Sequence, residues 1–330
     1  MKPPTLFSVL AATVLAVSAH GAVLIKIDGS STVYPATEAV AEEFMIAKKG
    51  KVQITVGISG TGGEFKKFTR GEIDISDASR PILASEMQAA RASGIEYIEL
   101  PICFDALTVA VNPQNTWCAS MTVSELKKLW EPAAQGKITR WNQIRPDWPD
   151  AEIKLFGAGS DSGTFDYFTE AIVGKAKNSR GDYTGSEDDN VLVQGIENDK
   201  FALGYLPYAY YAPHAKRMKA VAIEWDAKGK SPVLPSLEAV TGGTYNPLAR
   251  PLFLYVNKKS LERPEVREFV EFYLTEGPEL VQEVKYLPLP ASAYEMGLAR
   301  LARLETGTGF GGVPEIGLPV EEILKRQPKH

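Results

Sequence analysis

The chain has 330 residues, 44% of them hydrophobic, and a formal charge of −5. That length and apolar content suffice for two cores. The acidic balance excludes a binder of nucleic acid or any polyanion by bulk charge, so an anion held here must be held by local dipoles.

The N-terminus opens with Met1-Lys2, runs through an apolar stretch from Leu6 to Val17 and reaches Ser18-Ala19. Val17 and Ala19 fit signal-peptidase cleavage after Ala19, so residues 1–19 read as a signal peptide and the mature chain as exported. The stretch is shorter than the ~20 residues of a membrane-spanning helix. No cysteine near the cleavage point offers a lipid attachment.

Val23 to Ile27 is an apolar strand broken only by Lys26. It leads through Asp28-Gly29 to Ser30, Ser31 and Thr32, and then to a helical pattern of Ala36, Ala39, Val40 and Phe44. Pro35 suits the first turn of that helix. A helix start leaves N–H groups unpaired and carries about +0.5 charge, so three hydroxyls there suggest an anion site. One such turn is ordinarily only a cap. The chain repeats it twice. The strand 52–56 is followed by Gly57-Ile58-Ser59-Gly60-Thr61-Gly62-Gly63 and a helix near Glu64–Phe68. The strand 153–156 is followed by Gly157-Ala158-Gly159-Ser160-Asp161-Ser162-Gly163-Thr164 and a helix running to about Val173. Three strand–hydroxyl–helix turns predict one anion gripped by several helix mouths.

Between these turns, Ile73 and Ile75 alternate as a short strand, and Asp77-Ala78-Ser79-Arg80 forms a polar turn stopped by Pro81. Arg80 has the best anion chemistry here, a permanent charge and a planar fork of donors. Its alternative is a surface pairing with an acid. A helix over Ala84–Ala92 precedes a strand at Ile95–Leu100, and a second, strongly apolar strand covers 105–111. Thr122-Val123-Ser124-Glu125 is a capping box opening a helix to Trp130. Residues 132–150 read as a packed loop holding Trp141 and Trp148. Ser186-Glu187-Asp188-Asp189-Asn190 is a helix start with acids at its positive end, and Ala202–Leu206 is a buried strand. Tyr208, Tyr210 and Tyr211 form an aromatic edge, Val221–Ala227 is strand-like, and Leu252–Val256 is an apolar strand. Helices are expected at 264–275, 279–284, 294–304 and 320–325.

Strands alternating with helices give an α/β protein with largely parallel sheets. The strands 105–111 and 252–256 flank a block with its own strand–helix set. This predicts an inserted lobe of residues 105–244 within an outer lobe of residues 24–104 plus 245–330. The anion would lie in the cleft between them, at the strands' carboxyl ends. Cys103 and Cys118 are the only cysteines. Export permits a disulfide across the reversal at Asn112–Asn115, and two free thiols fit equally, because sequence does not fix a Cα separation.

The motifs GSSTVYP, GISGTGGEFKKF, GEIDISDASRP, DALTVAVNP, GSDSGTFDYFTEAIVG, SEDDNVLVQG and ALGYLPYAYY, in this order, resemble the phosphate-binding protein of the phosphate-specific ABC transporter. The later RPLFLYVN, YLPLP and FGGVPEIGLP are similar to that family too, so the likeness runs from about residue 25 to 320. The resemblance implies a two-lobed, monomeric periplasmic receptor that closes on one inorganic phosphate and presents it to an inner-membrane ABC permease, without cofactor or metal. It implies that Ser31, Thr32 and the Val33 backbone hold phosphate at the first helix. Ser59 and Thr61 would hold it at the second, and Ser162, Gly163 and Thr164 from the inserted lobe. Asp77, Ser79 and Arg80 complete the implied set. Some members carry an arginine just before the Ser-Gly-Thr turn; Gly157-Ala158-Gly159-Ser160 stands there instead.

Phosphate at neutral pH carries a proton and sulfate does not, so a buried acid beside the ligand favours phosphate. Asp77 is the first candidate, with a local pairing to Arg80 as its alternative. Asp161 is the second, with an N-cap as its alternative. A phosphatase would need a nucleophile with a base, or metals. His20, His214 and His330 adjoin no nucleophile motif, Asp188-Asp189 lack the spacing of a calcium loop, and no glycine turn continues as Gly-Lys-Ser/Thr. Another oxyanion receptor and a secreted sensor or scavenger of phosphate are the remaining alternatives.

Overall fold

The computed structural model describes residues 22–315 and 320–330. The leader expected at residues 1–19 lies outside them. The chain first winds Val23–Gly29 (β1), Tyr34–Ala47 (α1), Val52–Ile58 (β2), Thr61–Phe68 (α2), Ile75–Ala78 (β3) and Ala84–Ala92 (α3). Tyr97–Val111 (β4) then carries it into the second lobe. There follow Ser120–Thr122 (β5), Val123–Trp130 (α4), Lys154–Ala158 (β6), Gly163–Phe168 (α5), Thr184–Ser186 (β7), Asp189–Asn198 (α6) and Ala202–Pro207 (β8). Tyr208–Tyr211 (α7), Lys219–Ala220 (β9), Ala222–Glu224 (β10) and Leu237–Thr241 (α8) complete that stretch. Ala249–Asn257 (β11) returns to the first lobe, which ends with Pro264–Thr275 (α9), Gly277–Glu283 (α10), Leu287–Pro288 (β12), Ala291–Ala302 (α11) and Val320–Lys325 (α12).

The main sheet runs β2-β1-β3-β11-β4-β8-β6-β7. The wound strands pair in parallel, β1 with β2 and β3, and β6 with β7 and β8. β4 and β11 run antiparallel to their neighbours and join the halves. Alternation in β1 explains its burial: Ile25 and Ile27 enter the core while Leu24 and Lys26 face water. On α1, Ala36, Val40 and Phe44 recur at helical spacing and pack on that core with Phe269 and Phe272 of α9. Phe65 and Phe68 of α2 fill the opposite face against Tyr97 and Tyr255. The second lobe has its own core, in which Trp130, Trp141, Trp148 and Phe168 are buried. The box at Thr122 forms as expected: Thr122 Oγ1 accepts from Glu125 N at 3.0 Å, and Glu125 Oε2 accepts from Thr122 N at 2.8 Å.

Three local expectations change. The two strands expected at 95–100 and 105–111 are one fifteen-residue strand, β4. Pro101 lies inside it, and the register slips between Leu252 and Phe253, which face Cys103 and Pro101, leaving Ile102 extra. A bulge is where a strand tolerates a residue without an N–H. Of the run at 221–227 only Ala222–Glu224 (β10) is strand; β9 precedes it at Lys219–Ala220, and a short turn at Asp226–Lys228 ends it. The helix after the third turn widens into a π-turn over Thr169–Val173, closed by Gly174 at φ 91°. Cys103 and Cys118 are free thiols, buried in the cores of different lobes.

Candidate functional site

The first turn is built on a crossing between strands. Ser30 N donates to Asp77 O at 2.9 Å, and Ser30 O accepts from both Val33 N and Tyr34 N. The Ser30 hydroxyl accepts from Thr32 N at 3.1 Å and donates to Ser79 Oγ at 2.9 Å. The second turn bends at Gly60, whose φ of 72° suits glycine. Its Thr61 Oγ1 lies 3.1 Å from Ser79 Oγ and accepts from Ser79 N at 3.2 Å. The third turn opens α5 with Ser162, which caps the helix by accepting from Thr164 N at 3.1 Å.

These turns come from different lobes and close on one another. Thr32 Oγ1 and Thr164 Oγ1 are 2.7 Å apart, Gly62 N donates to Asp161 O at 3.1 Å, and Tyr210 donates its phenol proton to Ser31 O at 3.2 Å. A Cβ on Gly163 would stand 2.3 Å from Ser79 Oγ and 2.5 Å from Thr61 Oγ1. Only a glycine lets the third turn come this close. Ser31, Thr32, Thr61, Ser79, Ser162, Gly163 and Thr164 therefore meet in one buried cleft.

The cation at the centre is Arg250, on β11 and 1% exposed. Its Nη2 donates to Thr164 Oγ1 at 2.7 Å, and its Nη1 donates to Ser79 O and Gly163 O at 3.0 and 3.1 Å. It therefore touches a turn from each lobe. Asp105, its register partner on β4, accepts from Nε and Nη2 at 3.2 and 3.0 Å. Burial pushes the Asp105 carboxyl up, and the Arg250 charge works against that rise. The sequence reading missed both residues. The available signal was one arginine inside an otherwise apolar strand.

A second missed acid is Asp189, at the start of α6 and 2% exposed. Ser31 Oγ donates to Asp189 Oδ2 at 2.9 Å across the cleft. Burial pushes this carboxyl up to about 7, with the Ser31 bond working against the rise.

Four expected site residues are placed differently. Val33 N is spent on Ser30 O at 3.0 Å, because the chain already turns there into α1. The Ser59 hydroxyl bonds Asp28, which also pairs with Lys67. Asp77 lies fully buried under Gly29, and neither of its carboxyl oxygens has a hydrogen-bond partner. Arg80 is consumed by acids: Nη1 and Nη2 fork onto Glu86, and Nε donates to Asp166 of the other lobe at 2.8 Å. The second candidate acid, Asp161, has an exposed side chain, and Ser162 is the cap.

A family model described as a PBP superfamily domain matches residues 16–276. Protein SphX of Synechocystis is 51% identical over 304 residues, covering 92% of this chain and 89% of that protein. The phosphate-binding protein PstS of Staphylococcus haemolyticus is 36% identical over 281 residues, 85% of each chain. Among solved structures, a possible phosphate binding protein from Planctomyces limnophilus is 50% identical with a TM-score of 0.65, covering 86% of this chain and 98% of that one. A putative phosphate ABC transporter substrate-binding protein from Clostridium perfringens, solved with bound phosphate, is 26% identical with a TM-score of 0.66, covering 81% and 100%.

Proposed function

Since the chain belongs to the PBP superfamily, and within it to the family of SphX and the PstS phosphate-binding proteins, we propose that it is a receptor that captures inorganic phosphate between its lobes and delivers it to an ABC importer. Members of this family are transport receptors and not enzymes. The observation that carries the reading is the closed array of hydroxyls, Ser31, Thr32, Thr61, Ser79, Ser162 and Thr164, fastened from both lobes by Arg250. Hydroxyls and a guanidinium are the donors a small oxyanion needs.

Arg250 takes the place of the arginine missing before the Ser-Gly-Thr turn. Asp105 offsets its charge, so affinity rests on short directed hydrogen bonds rather than on net charge. No helix of the described residues is long and apolar enough to cross a membrane. The apolar leader sequence supports export to the periplasm, where the receptor would meet a separate membrane permease. Phosphate uptake at limiting concentration, in cells lacking this chain, tests the delivery role. The reading requires uptake to fall and to recover when the chain is restored; unchanged uptake contradicts delivery.

A further inference from the structure

Three acids stand together at Glu187, Asp188 and Asp189. Asp188 caps α6 by accepting from Asn190 N at 3.0 Å, and Asp189 accepts from Ser31 across the cleft. Glu187 does neither. Its place follows from the sheet. β6 and β7 pair in parallel with Ala158 opposite Ser186, and Gly159 N donates to Ser186 O at 2.9 Å. The next residue on each strand is therefore a neighbour, and the Glu187 side chain lies over Gly159. A Cβ on Gly159 would stand 2.1 Å from Glu187 Oε1 and 2.7 Å from its Cδ. Only a residue without a side chain makes this room.

The carboxyl that fills the room holds the third turn. Glu187 Oε1 accepts from Asp161 N at 3.1 Å. The carbonyl of the same residue is spent on the other lobe, where it accepts from Gly62 N of the second turn at 3.1 Å. The two peptide units flanking Asp161 are thus held, one by Glu187 and one by Gly62, and Ser162, Gly163 and Thr164 follow directly. A Cβ on Gly60 would stand 2.5 Å from Asp161 O and 3.3 Å from Glu187 Oε2, so the glutamate and both turns meet at one seam. Glu187 Oε2 is buried there without a hydrogen-bond partner, which leaves Oε1 as the working atom.

Building on the phosphate reading, we propose that Glu187 is a positioning residue for the anion. It does not touch the ligand; through Oε1 it sets the third turn where Ser162, Gly163 and Thr164 meet the first two turns. A carboxyl oxygen accepts this bond whether or not the group carries a proton, so the role does not depend on charge. Charge on Glu187 would act the other way, because a carboxylate repels a nearby anion. Glutamine and alanine separate the two effects. Both remove the charge, and only glutamine keeps an acceptor.

The test is phosphate titration of the wild type, Glu187→Gln, Glu187→Ala, Gly159→Ala and the double variant Gly159→Ala/Glu187→Ala, with the melting temperature of each ligand-free protein. Glu187→Ala is expected to bind about tenfold more weakly than Glu187→Gln, the scale of one hydrogen bond left unmade. Gly159→Ala puts a methyl where the carboxyl lies and should weaken phosphate by a similar factor. In the Glu187→Ala background that methyl meets no carboxyl, so its cost should vanish; changes that act through one contact do not add. A general loss of packing would instead add in the double variant, and glutamine would not rescue it. Equal affinities in the two Glu187 variants, or additive costs in the double variant, overturn the proposal and leave the receptor reading intact. Should Glu187→Ala fail to fold, Gly159→Ala decides the matter, and wild-type affinity there overturns the proposal. A wild type that binds no phosphate overturns the receptor reading and this role with it.

Discussion

Arg80 Nε reaches across the cleft to Asp166 Oδ2 at 2.8 Å, and both side chains are 3% exposed. Glu86 holds the Arg80 fork in place from within its own lobe, and the guanidinium lies over the Phe65 ring. The pair joins the lobes, so it exists only while they are closed.

Breaking one half of a buried, hydrogen-bonded charge pair costs about 2–5 kcal/mol and acts mainly on the off-rate. Asp166→Asn should therefore release phosphate faster, by roughly tenfold or more, with little change in association. Stopped-flow displacement measures this. Arg80→Ala should raise the off-rate at least as much, because it removes the partner of Asp166 and also leaves Glu86 unpaired. Off-rates unchanged in both variants would contradict this role for the pair.

Gly163→Ala should leave each lobe folded and hinder closure. The added carbon would meet Ser79 Oγ at 2.3 Å and Thr61 Cβ at 2.9 Å. Overpacking of this kind costs about 1–3 kcal/mol, here taken from binding because the clash forms only between lobes. The expected result is weaker phosphate binding at an unchanged melting temperature of the ligand-free protein. Wild-type affinity would show that the lobes meet elsewhere.

Glu64 and Asp77 predict a pH effect. A Cβ on Gly29 would stand 1.4 Å from Asp77 Oδ1 and 2.5 Å from Glu64 Oε2, so the two carboxyls face each other there. Burial pushes both well above their usual range, and for Glu64 the Asp77 charge adds to the rise. A raised folded-state pKa means the fold keeps protons that the unfolded chain gives up. Stability from this pair is complete below the unfolded values near 4 and is lost as pH rises through the folded ones. Glu64→Gln should flatten the decline in stability that sets in as pH rises above the unfolded values, read by urea unfolding. Wild-type and variant curves running parallel would contradict it.

The three hydroxyl-rich turns were legible because their signal is local: glycine for the bend, serine or threonine for the mouth, an apolar strand before and a helix after. The α/β class was legible from strands alternating with helices along the chain. Arg250 was not, because its role depends on β11 lying beside β4 in a register that sets it opposite Asp105. Nothing local to residue 250 reports that. The Ser-Asp-Ala-Ser turn shows which residues lie near the site; that the Asp77 carboxyl sits buried under Gly29 depends on β3 pairing with β1, which nothing local reports. Asp189 was visible as an acid at a helix start; its bond to Ser31 needed the closed cleft.

The most direct measurement is calorimetric titration of the purified mature protein with phosphate, and separately with sulfate. The account predicts one phosphate per chain with saturating heat, and sulfate much weaker at the same ionic strength. No heat with phosphate, or equal affinities for the two anions, would contradict it.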